Sequence, residues 1–355
     1  MCFDSKEIPM RHIVFSLVLF QLGLMFSPAS EAGGYELGQG WQSGNSHLSG
    51  YTNIEVIDRF GIPSRIDLDD LSLFAGGHVS QWVNPFTEVE LSKHTLIRQG
   101  GGAVDGDVIV ERLYNDAIFS EHDTLRVGKM LTPLGDWNLV HAAPLIPIIT
   151  RPYTTARGFA AYISGVNWMH DPENGATPDL QLYGQPDNEW FKRPTSQTVR
   201  NFHNVIGGHV NMPLGLVDKM GASFQHGQLI ETGETFTLVG VNANKSFGTV
   251  RLESEAIISR FSGAVLPGTT RYHDNESGIF VLADYTITPQ WHGILEGEHY
   301  QDHTVNMSSR NTMVAVAYRP SAAMVWKLEY IHQAGVSASM APISTGWKAA
   351  FSILF

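Results

Sequence analysis

Segments of about ten residues in which apolar and polar side chains alternate recur along most of this chain, and they constrain its fold more tightly than any other feature. Successive side chains on a β-strand point to opposite faces, so each segment has a greasy side and a wet side. In 344–355, Trp347, Ala349, Phe351, Ile353 and Phe355 share one face, and Gly346, Lys348, Ala350 and Ser352 the other. In 324–333, Trp326, Leu328 and Tyr330 oppose Lys327 and Glu329. In 248–259, Val250, Leu252, Ala256 and Ile258 oppose Arg251, Glu253, Glu255 and Ser259. In 277–288, Ile279, Val281, Ala283, Tyr285 and Ile287 oppose Asp284 and Thr286.

The spacing predicts strands over 50–57, 67–79, 86–97, 108–118, 123–131, 156–168, 178–185, 203–212, 217–228, 234–244, 248–259, 277–288, 291–302, 310–319, 324–333 and 344–355, sixteen in all. Connections after odd-numbered strands average about 12 residues and those after even-numbered strands about five. A transmembrane barrel, with short periplasmic turns and longer external loops, sorts its connections in this way. A secreted soluble β-sandwich or adhesin would show the same alternation but has no reason to sort loops by parity. The short connections carry turn chemistry, as in Pro213-Leu214-Gly215-Leu216 and Pro289-Gln290.

A closed barrel pairs every strand hydrogen bond, which a hydrocarbon surrounding demands. Aromatic rings then belong at headgroup level, and Trp291, Trp326, Trp347, Tyr285, Tyr318 and Tyr330 are candidates for such girdles. With sixteen strands the lumen is wider than side chains fill, so inward charges become pore lining. Those on the strands include Arg251, Glu253, Glu255, Glu296, Glu298, Lys327, Glu329 and Lys348; their acidic excess leans toward cation preference.

Composition narrows the classes further. Only 16% of residues are charged against 43% hydrophobic, and 23 Lys plus Arg face 35 Asp plus Glu, a formal charge of −12. Without a basic block, no nucleic-acid partner is expected. The one cysteine, Cys2, excludes a disulfide framework and a Cys-based zinc site.

The N-terminus reads as an export signal. Met10-Arg11-His12 precedes an apolar run, Ile13 to Phe26, and Ser27-Pro28-Ala29-Ser30-Glu31-Ala32 offers small residues for cleavage after Ala32. The run is short of the roughly 18 residues a spanning helix needs. Translation starting at Met10 fits the same pattern. The expected organisation is a signal peptide over 1–32, a short N-terminal periplasmic segment over 33–49 and a transmembrane β-barrel over 50–355.

The chain ends on Ser352-Ile353-Leu354-Phe355, with an outward aromatic as its last residue. Here it resembles the Gram-negative outer-membrane porins, whose last strand commonly ends in Phe and is read by the barrel-assembly machinery. The stretch Leu125-Arg126-Val127-Gly128-Lys129-Met130-Leu131-Thr132-Pro133-Leu134-Gly135 also resembles a strand-to-loop segment of the phosphate-selective porin superfamily, although no lysine or arginine ladder accompanies it. The resemblance implies an all-β transmembrane antiparallel β-barrel of about 16 strands in the cell outer membrane, with lipid outside, a long inward-folded third external loop and a homotrimer as its assembly.

That loop is Thr132 to Thr155, the longest connection, and Ala142 to Ile149 is apolar and Pro-rich, an odd choice for a loop projecting into water. Asp136, His141, Arg151 and Arg157, with Arg126 and Lys129 on the preceding strand, are the candidate constriction charges. A lid over the mouth or a contact between subunits is the alternative for this loop. Transverse charges of opposite sign favour polar solutes.

No GxSxG, HExxH, GxxxxGK[ST] or strand-linked GxGxxG occurs, and no catalytic residue, cofactor or metal is assigned. Glu298-His299 with His303 has a spacing that could hold a metal but lacks a third marked ligand. His122 with Asp123, or His273 with Asp274, could serve a barrel-embedded outer-membrane hydrolase, although adjacent residues on a strand point apart. The expected function is passive diffusion of small hydrophilic solutes or ions through a water-filled, charge-lined pore.

Overall fold

The chain's computed structural model describes residues 34–102, 104–140, 142–172, 176–191, 200–215, 217–263, 270–336 and 343–355. The expected export signal at 1–32 and the candidate His141 lie outside the described residues. Two short strands come first, β1 (Gly34–Glu36) and β2 (Gly40–Ser43). They are followed by β3 (Ser46–Arg59), β4 (Arg65–Gly77), β5 (Asn84–Arg98), β6 (Asp107–Ile118), β7 (Asp123–Leu131), β8 (Tyr162–His170), β9 (Asp179–Asn188) and β10 (Phe202–Pro213). The second half holds β11 (Lys219–Leu229), β12 (Thr235–Phe247), β13 (Val250–Ser262), β14 (Asn275–Thr286), β15 (Trp291–Gln301), β16 (Ser309–Ser321), β17 (Met324–Gly335) and β18 (Gly346–Leu354). Among the described residues the only helical element is one 3-10 turn, Tyr153–Thr155.

From β3 onward each strand pairs antiparallel with the next, and β18 returns to β3 in register from Gly346↔Arg59 to Leu354↔Tyr51. The sheet therefore closes on itself as a sixteen-stranded antiparallel barrel. β1 and β2 pair with each other, and β2 pairs with the start of β3, Trp41 opposite Leu48. The last residue seals the seam: Phe355 N–H donates to Gly50 O at 2.9 Å and Gly50 N–H to Phe355 O at 2.8 Å. No side chain fits at position 50, because a Cβ there would lie 2.3 Å from Ser72 O and 2.9 Å from the Phe355 ring.

All sixteen strands read from alternation are present, and the connections at one end are short, down to two residues at 248–249 and 322–323. One boundary moves substantially. The strand read as 156–168 begins only at Tyr162, so the third long connection runs over 132–161. Residues 156–161, mostly small or apolar apart from Arg157, find other partners: Ala160 N–H donates to the Gln225 side chain at 2.7 Å, and Phe159 is fully buried.

The apolar faces look outward. On β12, Val239 and Val241 are 53% and 59% exposed while Phe236 and Leu238 are completely covered. Comparable outward aliphatics, Ile279, Val281, Leu295, Val314 and Leu328, continue the band around β14 to β17. A band of that extent is too apolar for a water-facing surface and matches the hydrocarbon-facing belt of a membrane barrel. Aromatic pairs border it: Trp291 on Tyr318 with ring centroids 4.6 Å apart, Trp326 on Phe351 at 4.3 Å and Tyr330 on Trp347 at 4.9 Å.

The interior is only partly polar. Two apolar clusters form between the long connection and the wall, one reaching from β6 round to β13 and the other from β14 to β17. One gathers Leu134 and Phe159 with Phe236, Leu238 and Phe261; the other gathers Trp137, Ile146 and Ile148 with Phe280, Leu282 and Met313.

Candidate functional site

A connection that lies inside a barrel has no neighbouring strand to satisfy its backbone, and every buried N–H and C=O needs a partner. Here the wall supplies charged side chains as those partners. Glu255 on β13 accepts the N–H groups of Asp136 at 2.6 Å and Trp137 at 2.9 Å. Glu298 on β15 accepts from Thr154 N–H at 2.8 Å and its hydroxyl at 2.9 Å. Glu329 on β17 accepts from Ile149 N–H at 2.9 Å, Thr150 N–H at 3.0 Å and the Thr150 hydroxyl. Cations take the carbonyls: Lys327 donates to Ala143 O at 2.6 Å and Ile148 O at 3.0 Å, and Arg319 to Pro144 O at 2.7 Å and Ile146 O at 3.3 Å. Bonds of this kind contribute about 1.5–3 kcal/mol each. Acids hold donors and bases hold acceptors, so the apolar stretch 142–149 is fixed by its backbone while Ile146 and Ile148 pack on the wall.

This arrangement separates the sequence-derived site residues into groups. Glu255, Lys327 and Glu329 do face inward, but they lie buried beneath the loop and not on open water, because the loop backbone consumes their charges. Glu329 also carries Arg59 at 3.2 Å. Asp136 pairs with Lys219 at 2.6 Å, and Arg251 with Glu253 at 2.8 Å, while Glu253 also accepts from the Trp137 indole at 3.0 Å. Arg151 folds onto its own loop, donating to Asn138 Oδ1 at 3.2 Å and to the Thr155 hydroxyl at 3.0 Å. Lys129 is fully buried, paired with Glu189 at 2.7 Å and donating to Phe191 O at 3.0 Å; it is taken up by the connection between β9 and β10. Arg126 makes a bidentate pair with Asp116, both bonds 2.8 Å, and stands 3.8 Å over the Tyr114 ring. Arg157 leaves the others and joins a second cluster.

That cluster was not legible in the sequence. At the long-loop end, Arg200 from the β9–β10 connection donates to both Glu276 oxygens at 2.8 Å and to Asp302 at 3.3 Å, and Arg157 donates to Asp302 at 3.1 Å. His303 pairs with Glu276 at 2.5 Å and stacks on Phe261 with centroids 3.8 Å apart. Burial and the Glu276 charge push the Asp302 carboxyl up, but Arg200 and Arg157 outweigh them and leave it below the usual carboxylate range. Glu276, Asp302 and His303 converge closely enough to hold a metal ion, yet two guanidiniums already occupy their carboxylates. The set fits an ion-pair latch and not a cation centre. The spacing of Glu298-His299 with His303 does not form a site either: Glu298 anchors Thr154 and His299 lies on the exposed face.

The wall from β3 to β6 was also missed. Register places Glu55, Asp67, Asp70, Glu88 and Glu90 on the covered face opposite the exposed Ile54, Val56 and Leu73. Counter-charges are fewer: Lys348 pairs with Glu55 at 2.6 Å, Arg65 with Asp67 at 2.6 Å, and Arg112 with Glu88. The two histidine–aspartate pairs do not assemble. His122 bonds the Asp171 carbonyl at 3.0 Å, Asp123 pairs instead with His170, and His273 bonds Asn306 O at 3.3 Å.

No protein-family model matches the chain. A curated relative, an uncharacterized protein of Aquifex aeolicus, is 36% identical over 124 residues, 35% of this chain and 25% of its own length, so the match spans a quarter of that relative. Solved structures are similar over nearly their whole length. OmpF of Salmonella typhi in complex with daunomycin has a TM-score of 0.62 at 10% identity, covering 91% of this chain and 99% of that one. OmpT, an outer membrane protein of Vibrio cholerae in its trimer form, gives 0.59 at 12% over 88% and 100%. The anion-selective porin of Comamonas acidovorans gives 0.57 at 11% over 87% and 98%. At such identities the likeness is one of fold, and that fold, a closed barrel of sixteen antiparallel strands, is the fold of the outer-membrane porins.

Proposed function

We propose that the chain is an outer-membrane porin through which small hydrophilic solutes or ions diffuse passively, with the connection 132–161 narrowing the lumen. The observation that carries this reading is the set of charged wall residues, Glu255, Glu298, Arg319, Lys327 and Glu329, that satisfy the loop backbone. A seat of this kind costs five ionisable groups, and a loop serving only as an external lid would not require it. The acidic wall of β3 to β6 sets the sign of the field across the lumen beside the loop, which favours cations over anions. The process involves no bond chemistry, no cofactor and no nucleic-acid partner.

The porin neighbours support an outer-membrane location, with lipid around the aliphatic band. Export through a signal at 1–32, recognition of Phe355 by the barrel-assembly machinery and a homotrimer belong to the same proposal. The test is reconstitution in a planar bilayer, with conductance and reversal potential read in a salt gradient. The reading requires stable channels whose conductance rises when 137–150 is removed. Unchanged conductance in that deletion refutes the constriction, and absence of any channel refutes the porin.

A further inference from the structure

On the short-turn side of the seated loop lies a cavity of about 350 Å³, within the range of small-molecule sites, about 300–1,000 Å³. Its wall residues all stand within a few positions of the short connections at 214–218, 248–249, 287–290 and 322–323. Its other side is the apolar loop, where Val140 and Leu145 present side chains that are 51% and 52% exposed.

The ionic groups around it are unequally satisfied. Lys219 is held by Asp136 at 2.6 Å and Arg251 by Glu253 at 2.8 Å. Asp284 is held by His292 at 2.9 Å. Arg319 alone, among the described residues at this cavity, has a full charge with no carboxylate at ion-pair distance; its bonds go to the Pro144 and Ile146 carbonyls. A guanidinium has five donors, so Arg319 keeps capacity for an incoming acceptor.

We infer that this cavity is a binding subsite for small carboxylates with an apolar body, the carboxylate on Arg319 and the body against Val140 and Leu145. An anion adds a partner to Arg319 without breaking an existing pair. An entering cation would have to compete for acids that are already engaged. An anion lacking an apolar part leaves the exposed loop side chains wet, so inorganic phosphate gains less than an aromatic acid. The inference deepens the porin reading and rests on it, since it names a solute that would pause in the lumen.

The experiment uses the full-length protein in planar bilayers with benzoate, benzamide and acetate as probes. Benzoate added on the short-turn side interrupts the current, and benzamide and acetate do so at least about tenfold more weakly, the ratio expected for about 1.4 kcal/mol of preference. Arg319→Gln removes the preference for benzoate over benzamide. Leu145→Asn, at a position more than half exposed, weakens the benzoate block and leaves acetate unchanged, so the test stands even where Arg319→Gln unseats the loop. Equal block by benzamide, open channels insensitive to benzoate, or benzoate block unaltered in Leu145→Asn each overturn the subsite. A protein that forms no channel overturns the porin reading alone; saturation-transfer NMR of benzoate on the detergent-solubilised protein then decides the subsite by the same variants.

Discussion

The Glu329 carboxylate accepts the backbone N–H of Thr150 at 3.0 Å across 179 positions of sequence, joining the middle of the long connection to the inner face of β17. The same carboxylate carries Arg59 from β3, so one buried acid ties the loop to both sides of the barrel seam. Glu329→Ala leaves Arg59 without its carboxylate and the Ile149 and Thr150 N–H groups without their acceptor. Breaking a buried pair in this way costs about 3–5 kcal/mol. The loop is expected to leave its seat, visible as larger or noisier single-channel conductance and as new protease cleavage near 142–150. Conductance and cleavage identical to the parent protein would show that the seat does not depend on Glu329.

The contact between Gly50 and Phe355 leads to a second expectation. Gly50→Ala pushes a methyl group against Ser72 O and the Phe355 ring at the point where β18 closes on β3. Overpacking of this kind costs about 1–3 kcal/mol. The variant should fold more slowly into detergent micelles and lose its heat-resistant compact form at a lower temperature than the parent. A matched Gly→Ala change at Gly297, where an added Cβ meets nothing within 4 Å, should leave both properties unaltered.

A lipid-facing belt is tested at Val241, which is 59% exposed and central in β12. At the bilayer midplane Val241→Arg is expected to destabilise the barrel by about 2–4 kcal/mol. The same change on a water-facing surface is tolerated within about 0.5 kcal/mol. Unfolding titrations in lipid vesicles separate the two, and a neutral result would place this face in water.

The sixteen strands were legible because period-two alternation depends only on which face meets hydrocarbon, and Val239, Val241, Trp326 and Leu328 state that face directly. The inward direction of Glu255, Lys327 and Glu329 followed from the same rule. What they touch did not, because alternation says nothing about what fills a lumen. Phe236, Leu238, Phe280 and Leu282 point inward against the simple polar-inside pattern, and they mark where the apolar loop packs. The start of β8 differs from the sequence expectation for a related reason: Ala156 to Ala161 reads as apolar enough for a strand, but the segment is buried as loop. Arg200, Glu276, Asp302 and His303 come from several connections and strand ends with no common spacing, so only the closed barrel brings them together.

That cluster yields the last expectation, a dependence on pH with a definite sign. Asp302 sits below its ordinary value because Arg200 and Arg157 outweigh burial and the Glu276 charge. A carboxyl depressed on folding contributes stability that is fully present above its unfolded value, about 3.9, and is lost as pH falls through the lower folded value. The latch should therefore hold the long connections together at neutral and mildly acidic pH and release them only in stronger acid. Limited proteolysis of the long-loop end across a pH series checks this, with cleavage expected to rise below about pH 4. Arg200→Ala leaves Glu276 without its guanidinium partner and should produce the same cleavage already at neutral pH. Cleavage in that variant no faster than in the parent protein at pH 7 would mean that the loops are held by their apolar contacts, with Phe261 and Phe236 carrying what the ion pairs are assigned here.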